Sequence, residues 1–235
     1  MEAATLLTAI LLIALPIAFN LAFFELGRAF DYPGILREPT PVILTRFAAG
    51  GSGLVMRWWL FMLLALALLP LAVLVGVVLE SAPGALVPIG IVVGTAAAIV
   101  QVIGLIRWPF VVPELARRYA AAEEGPAGDV TRATIEVAFA TIHRLLGVGI
   151  GEHLGYLLTG VWTVLVGASM LQVAIMPAWL GAIGLVVGGA LMVGSLEFVG
   201  RNEEHGWAFA EKLVPIAYIA WSVWLIAFGV LLLVG

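Results

Sequence analysis

The sequence predicts an all-α membrane protein, a polytopic bundle of six transmembrane helices, and three observations carry that prediction. Of its 235 residues 63% are hydrophobic and only 11% are charged. The mean hydropathy is +1.15. The apolar residues gather into six windows of about 20, each long enough to cross ~30 Å of hydrocarbon. Spans this long and this apolar are helices, because barrel strands are shorter and alternate apolar with polar positions. The whole chain, 1–235, reads as one membrane domain.

The first span, 4–24, lies in "MEAATLLTAILLIALPIAFNLAFF". It lacks a basic n-region and is too long for a secretory signal, so it is expected to be retained. Spans two and three, 57–79 and 85–107, are joined by the short Pro-containing turn "ESAPG". Spans four and five, 147–171 and 177–199, are joined by "QVAIMPAW", and span six is 212–234. The longer connections, 25–56, 108–146 and 200–211, hold or border all eleven Lys and Arg residues. The positive-inside rule therefore makes these connections cytoplasmic and places both termini outside.

Two of the cytoplasmic connections read as interfacial. In "FDYPGILREPTPVILTRFAAGGSG" (30–53), Pro33, Pro39 and Pro41 argue against a long helix, while Ile35, Leu36, Val42, Ile43, Leu44 and Phe47 are free to lie on the bilayer surface. In "RWPFVVPELARRYAAAEEGPAGD" (107–129), a Trp-Pro break precedes a short basic segment suited to the headgroup layer. After Asp129 no breaker occurs in "VTRATIEVAFATIHRLL". Helix four is thus expected to start in the cytosol and run unbroken into the membrane over about 40 residues, ~60 Å.

With no cysteine, disulfides, thiol chemistry and thiolate metal sites drop out. There is no P-loop, Rossmann fingerprint, HExxH or nucleophile elbow. No metal site and no nucleic-acid partner are expected, and no cofactor is evident. A bis-histidine haem needs two histidines at one depth, and only His153 is well inside a span. A five-coordinate haem on His153 has nothing to support it.

Measured at 1.5 Å per residue from the cytoplasmic ends, Asn20, Gln101, Glu152, His153, Tyr156 and Glu197 share a layer roughly 5–15 Å deep. On an α-helical wheel Glu152, Tyr156, Thr159 and Thr163 form one stripe flanked by His153. Gly147, Gly151 and Gly155 form a second, small-residue face suited to close helix packing. An acid inside hydrocarbon faces the bundle interior, a cavity or a partner, and is a functional candidate by default. The bland alternative is structural, with Glu152 and His153 hydrogen-bonded across helices to Gln101 or Asn20. Glu197 precedes Arg201 by four residues, so an i,i+4 ion pair is its leading explanation. His143, at the membrane entry, reads as a surface or headgroup residue, and His205 as a solvated loop residue. Packing is the default for Trp162, Trp221 and Trp224.

At "FDYPGILREPTPVILTRFAAGG", "RWPFVVPELARRYA" and "HRLLGVGIGEHLGYLLTGVWT" the chain resembles an uncharacterised family of bacterial integral membrane proteins, known as a domain of unknown function. The stretches come in the same order and between the same spans, and the resemblance covers most of the chain. It implies a six-helix protein of the bacterial inner (plasma) membrane. It supplies no substrate, cofactor or catalytic residue.

Three functional expectations follow. The leading one is a binding or transport protein with a cytosol-facing polar pocket built from Glu152, His153, Tyr156, Gln101, Asn20 and Glu197, for a small molecule, lipid or proton. The second is an intramembrane enzyme acting on a lipid or isoprenoid, with Glu152 and His153 as acid–base pair and Arg117, Arg118 and Arg144 holding an anionic headgroup. The third is an interaction protein whose glycine faces dock against a second copy or a larger complex. Membrane lipids are the expected surroundings in all three.

Overall fold

A helix satisfies its backbone polar groups internally, so apolar stretches of this length fold as helices. In the computed structural model, which describes residues 2–234, no strand occurs among the described residues. Helix α1 spans Ala3–Phe30. A 3-10 turn at Gly34–Arg37 leads to α2 (Thr40–Leu66) and α3 (Leu68–Val78), which run on as one rod. The next rod comprises α4 (Leu86–Leu105), α5 (Arg107–Phe110) and α6 (Val112–Ala120). The third comprises α7 (Pro126–Ile142), a π-helical stretch His143–Leu154 and α8 (Gly155–Met170). Helices α9 (Ala178–Gly194) and α10 (Ala208–Val234) complete the chain.

Five rods are long and apolar enough to cross a membrane, at 28, 39, 35, 45 and 27 residues; α9 is apolar but has only 17. The protein is an all-α membrane bundle. Each rod packs against the next in chain order, and α10 returns to α1, which closes a ring. A close approach joins α8 to α9, where a Cβ on Gly160 or on Gly188 would stand 2.6 Å from the other's carbonyl oxygen. Only glycine permits that spacing. Large side chains such as Leu21, Phe24, Val92, Val186, Ile216 and Ile219 stay exposed on the outside of the ring, the pattern of a protein whose solvent is lipid.

The interior holds two separate apolar cores. One gathers Leu12, Leu71, Trp162, Leu180, Trp224 and Phe228. The other lies at the end where the long connections run and gathers Phe30, Ile35, Phe47, Trp58, Trp108 and Phe139. There Trp108 stacks on Trp58, with ring centres 4.5 Å apart and planes at 10°.

This second core corrects one part of the reading of residues 30–53 and 107–129, the placing of their apolar side chains and the effect of the prolines. Pro39 and Pro41 do not prevent a helix; they flank its first residue, where a missing N–H costs nothing. The rod does break at Gly51, whose φ of 55° is a conformation glycine adopts readily. Ile35, Ile43, Leu44 and Phe47 turn inward rather than onto the bilayer, and Trp108 is fully buried. The segment after Trp108 continues as helix through α6. The long fourth helix behaves as expected, running unbroken over Pro126–Met170.

Candidate functional site

The site is built on the stretch where glycine recurs at Gly147, Gly149 and Gly151. Glycine lowers α-helix preference, and here the helix widens into the π form from His143 to Leu154. Such turns are rare and favour functional sites. The small faces admit the neighbouring rod: a Cβ on Gly104 of α4 would fall 2.5 Å from the Gly151 Cα. A Cβ on Gly147 would fall 2.7 Å from a guanidinium nitrogen of Arg107, so the missing side chain makes room for that group. Arg107 is 3% exposed and donates to the Gly104 carbonyl.

The π form also alters which residues share a face. In an α-helix the residue five positions on from Gly147 would lie ~140° round the axis, whereas a π turn, bonded i to i+5, brings it back toward the same side. That residue is Glu152.

Glu152 opens into a cavity of about 170 Å³ between the π stretch and the end of α9. Arg144, Gly149, His153 and Tyr156 line one wall, and Ser195, Glu197 and Phe198 line the other. There is room for several waters or the polar end of a larger molecule. Helix α9 ends at Gly194, not at 199 as the hydropathy suggests, and Ser195 turns its hydroxyl back to the Met192 carbonyl at 2.7 Å. The Ser195 carbonyl is then free to face His153 Nδ1 at 2.7 Å. A carbonyl only accepts, so Nδ1 carries the hydrogen, and Nε2 of the neutral ring is an acceptor.

Glu197 stands on that turn rather than on a helix, so the expected i,i+4 pair with Arg201 does not form. Arg37 donates to Glu197 Oε1 at 2.9 Å and reaches Glu211 at 3.3 Å. Arg144 donates to the Glu203 carbonyl, approaches its carboxylate at 3.3 Å and lies over the Phe198 ring at 5.6 Å. The Glu152 carboxylate has no hydrogen bond or ion pair to any described residue. Tyr156 meets Tyr218 edge-on at 5.3 Å.

Two predicted pocket residues lie elsewhere. Asn20 donates to the Pro16 carbonyl at 2.7 Å and to Ser222 Oγ at 2.9 Å, which ties α1 to α10. Gln101 donates to Thr159 Oγ1 at 3.1 Å, and Thr163 accepts from Trp221 Nε1 at 2.9 Å. The stripe drawn from a uniform wheel therefore divides: Glu152 and Tyr156 reach the cavity, while Thr159 and Thr163 bind neighbouring helices. His143 does not face headgroups; its ring stacks on Phe139 at 5.4 Å and meets Trp108 edge-on at 6.2 Å. His205 is an exposed loop residue beside Glu204.

Arg117 and Arg118 are exposed on α6, and both donate to Glu114. The hydrogen bond from Arg118, then that from Arg117, holds the Glu114 carboxyl below its ordinary value of 4.5. The glycine faces are filled within the chain: Gly147 and Gly151 by Arg107 and Gly104, Gly94 by Trp162 and Ala72, Gly184 by Trp224.

The family model described as Domain of unknown function (DUF4386) matches residues 7–229. The chain belongs to that family. The match takes in every rod of the bundle and both walls of the cavity. No curated protein and no solved structure matches this DUF4386 chain.

Arg107 and Arg37 are the site residues that sequence reasoning missed. Arg107 reads as one more basic residue at a span's end, although the glycines at 104 and 147 are the signal of a close crossing beside it. Arg37 meets Glu197 across 160 positions, and nothing local in the sequence marks that pair.

Proposed function

We propose that this protein binds, and in working passes on, a small polar solute or a proton at the cavity between the π-helical stretch and the end of α9. The observation that carries the reading is the Glu152 carboxylate, which lines the cavity without a protein partner while every other charged side chain there is engaged. A carboxylate left so deep in a membrane bundle without a use would be a cost with nothing set against it. The reading places the cavity toward the cytosol. All eleven Lys and Arg residues fall in or beside the three connections at that end, which supports cytoplasmic connections, termini outside and residence in a bacterial inner membrane. Membrane lipids surround the exposed apolar ring.

Infrared difference spectroscopy on the purified protein in lipid nanodiscs, stepped across pH, tests the reading. The expected result is a carboxylic C=O band that appears with falling pH and vanishes in Glu152→Gln. A spectrum identical in the wild type and Glu152→Gln would mean that the group neither takes up a proton nor meets the solvent, and would remove the basis of the proposal.

A further inference from the structure

Three side chains on the cavity wall keep acceptors that no protein donor fills. Glu152 offers two carboxylate oxygens with no protein donor. Glu197 spends Oε1 on Arg37, and no donor reaches Oε2. His153 spends Nδ1–H on the Ser195 carbonyl and leaves Nε2 as an acceptor. The Tyr156 hydroxyl is the one unspent group that can donate as well as accept. The cation on the cavity wall, Arg144, turns Nη2 to Glu203 and lies over the Phe198 ring. A ligand that fills the remaining acceptors brings N–H donors, and a positive charge suits the unpaired Glu152.

We propose that the cavity takes a small protonated primary amine, its ammonium group directed at Glu152, Glu197 Oε2 and His153 Nε2. A primary ammonium carries three N–H donors and no acceptor, which matches the three acceptor side chains. Its charge replaces the partner that Glu152 lacks, and charge-assisted bonds of this type are the stronger class. A space of about 170 Å³ limits the occupant to a small amine or to the amine end of a longer molecule.

The inference rests on the cavity being a binding site, as proposed above, and one experiment separates the two claims. The chain has no cysteine, so Val148→Cys places a single thiol on the cavity wall. Its reaction is followed in nanodiscs with 2-aminoethyl methanethiosulfonate and with the anionic 2-sulfonatoethyl reagent, each rate normalised to a free thiol. The expected preference for the aminoethyl reagent is about tenfold or more, the scale of one nearby charge at intermediate dielectric. The further substitution Glu152→Gln should remove most of it. Methylammonium should slow the labelling, whereas tetramethylammonium, which has no N–H, should not.

If neither reagent reacts, solvent does not reach the cavity and the binding reading fails along with the inference. If both react at equal normalised rates, or if potassium protects as well as methylammonium, the cavity stands and the amine assignment is overturned. Should Val148→Cys fold poorly, the thermal midpoint of the wild-type protein carries the same test. It should rise with methylammonium and not with tetramethylammonium, and equal responses would overturn the inference.

Discussion

The two cores of this bundle treat polar atoms in opposite ways. Around Trp162, Trp221 and Trp224, the indoles of Trp221 and Trp224 donate to Thr163 Oγ1 and the Leu180 carbonyl, both at 2.9 Å. The three fully enclosed side-chain polar atoms that lack a partner among the described residues all lie outside that core. They lie around Trp108: Trp58 Nε1, Arg107 Nε and His143 Nδ1. The unpartnered carboxylate of Glu152 stands on the same π-helical stretch as His143. The first core is organised to hold the helices together. The second gives up some of that stability to keep charged and polar groups in place, as functional regions do.

The comparison predicts unequal responses to mutation, and the largest belongs to the first core. Trp224→Ala strips the indole from the space against Gly184 and frees the Leu180 carbonyl. It should cost ~3–5 kcal/mol in reversible unfolding from mixed micelles. In the second core His143→Phe keeps the stack on Phe139 and removes an unsatisfied nitrogen. A gain of about 1 kcal/mol is expected, and a loss of that size would mean that the imidazole has a partner. Glu152→Gln should change the unfolding free energy by less than ~1 kcal/mol, because no protein hydrogen bond is lost. If its cost rivals that of Trp224→Ala, Glu152 is structural and the contrast between the cores collapses.

The smallest effect is expected outside the membrane. The Glu114 carboxyl is held low by Arg118 and Arg117. Its contribution is therefore present above the ordinary value of 4.5 and fades as pH falls through the lowered one. Because the side chain is 44% exposed to solvent, Glu114→Gln should only flatten the acid limb of the stability curve slightly, a change read by unfolding at a series of pH values.

Hydropathy and breakers made the rods legible, including the unbroken helix through Pro126–Met170, because apolar length alone decides which stretches fold as spans. They misplaced Ile35, Ile43, Leu44 and Phe47 of residues 30–53 and Trp108 of residues 107–129, which meet one another across the chain instead of meeting lipid. Intramembrane polarity singled out Glu152, His153, Tyr156 and Glu197, which line one cavity. Shared depth was too weak to tell them from Asn20 and Gln101, because depth says nothing of which helix faces which. The π turn, the early end of α9 and the Arg37–Glu197 pair each depend on contacts between distant segments, and no local pattern encodes them.

The most direct test of the contrast is an experimental density map of the protein in lipid nanodiscs, at a resolution that shows ordered water. The account predicts non-protein density against Glu152, between the π stretch and the Ser195–Phe198 turn, and none among Trp162, Trp221 and Trp224. A cavity closed by side chains, with Glu152 bonded to a protein donor, would contradict it.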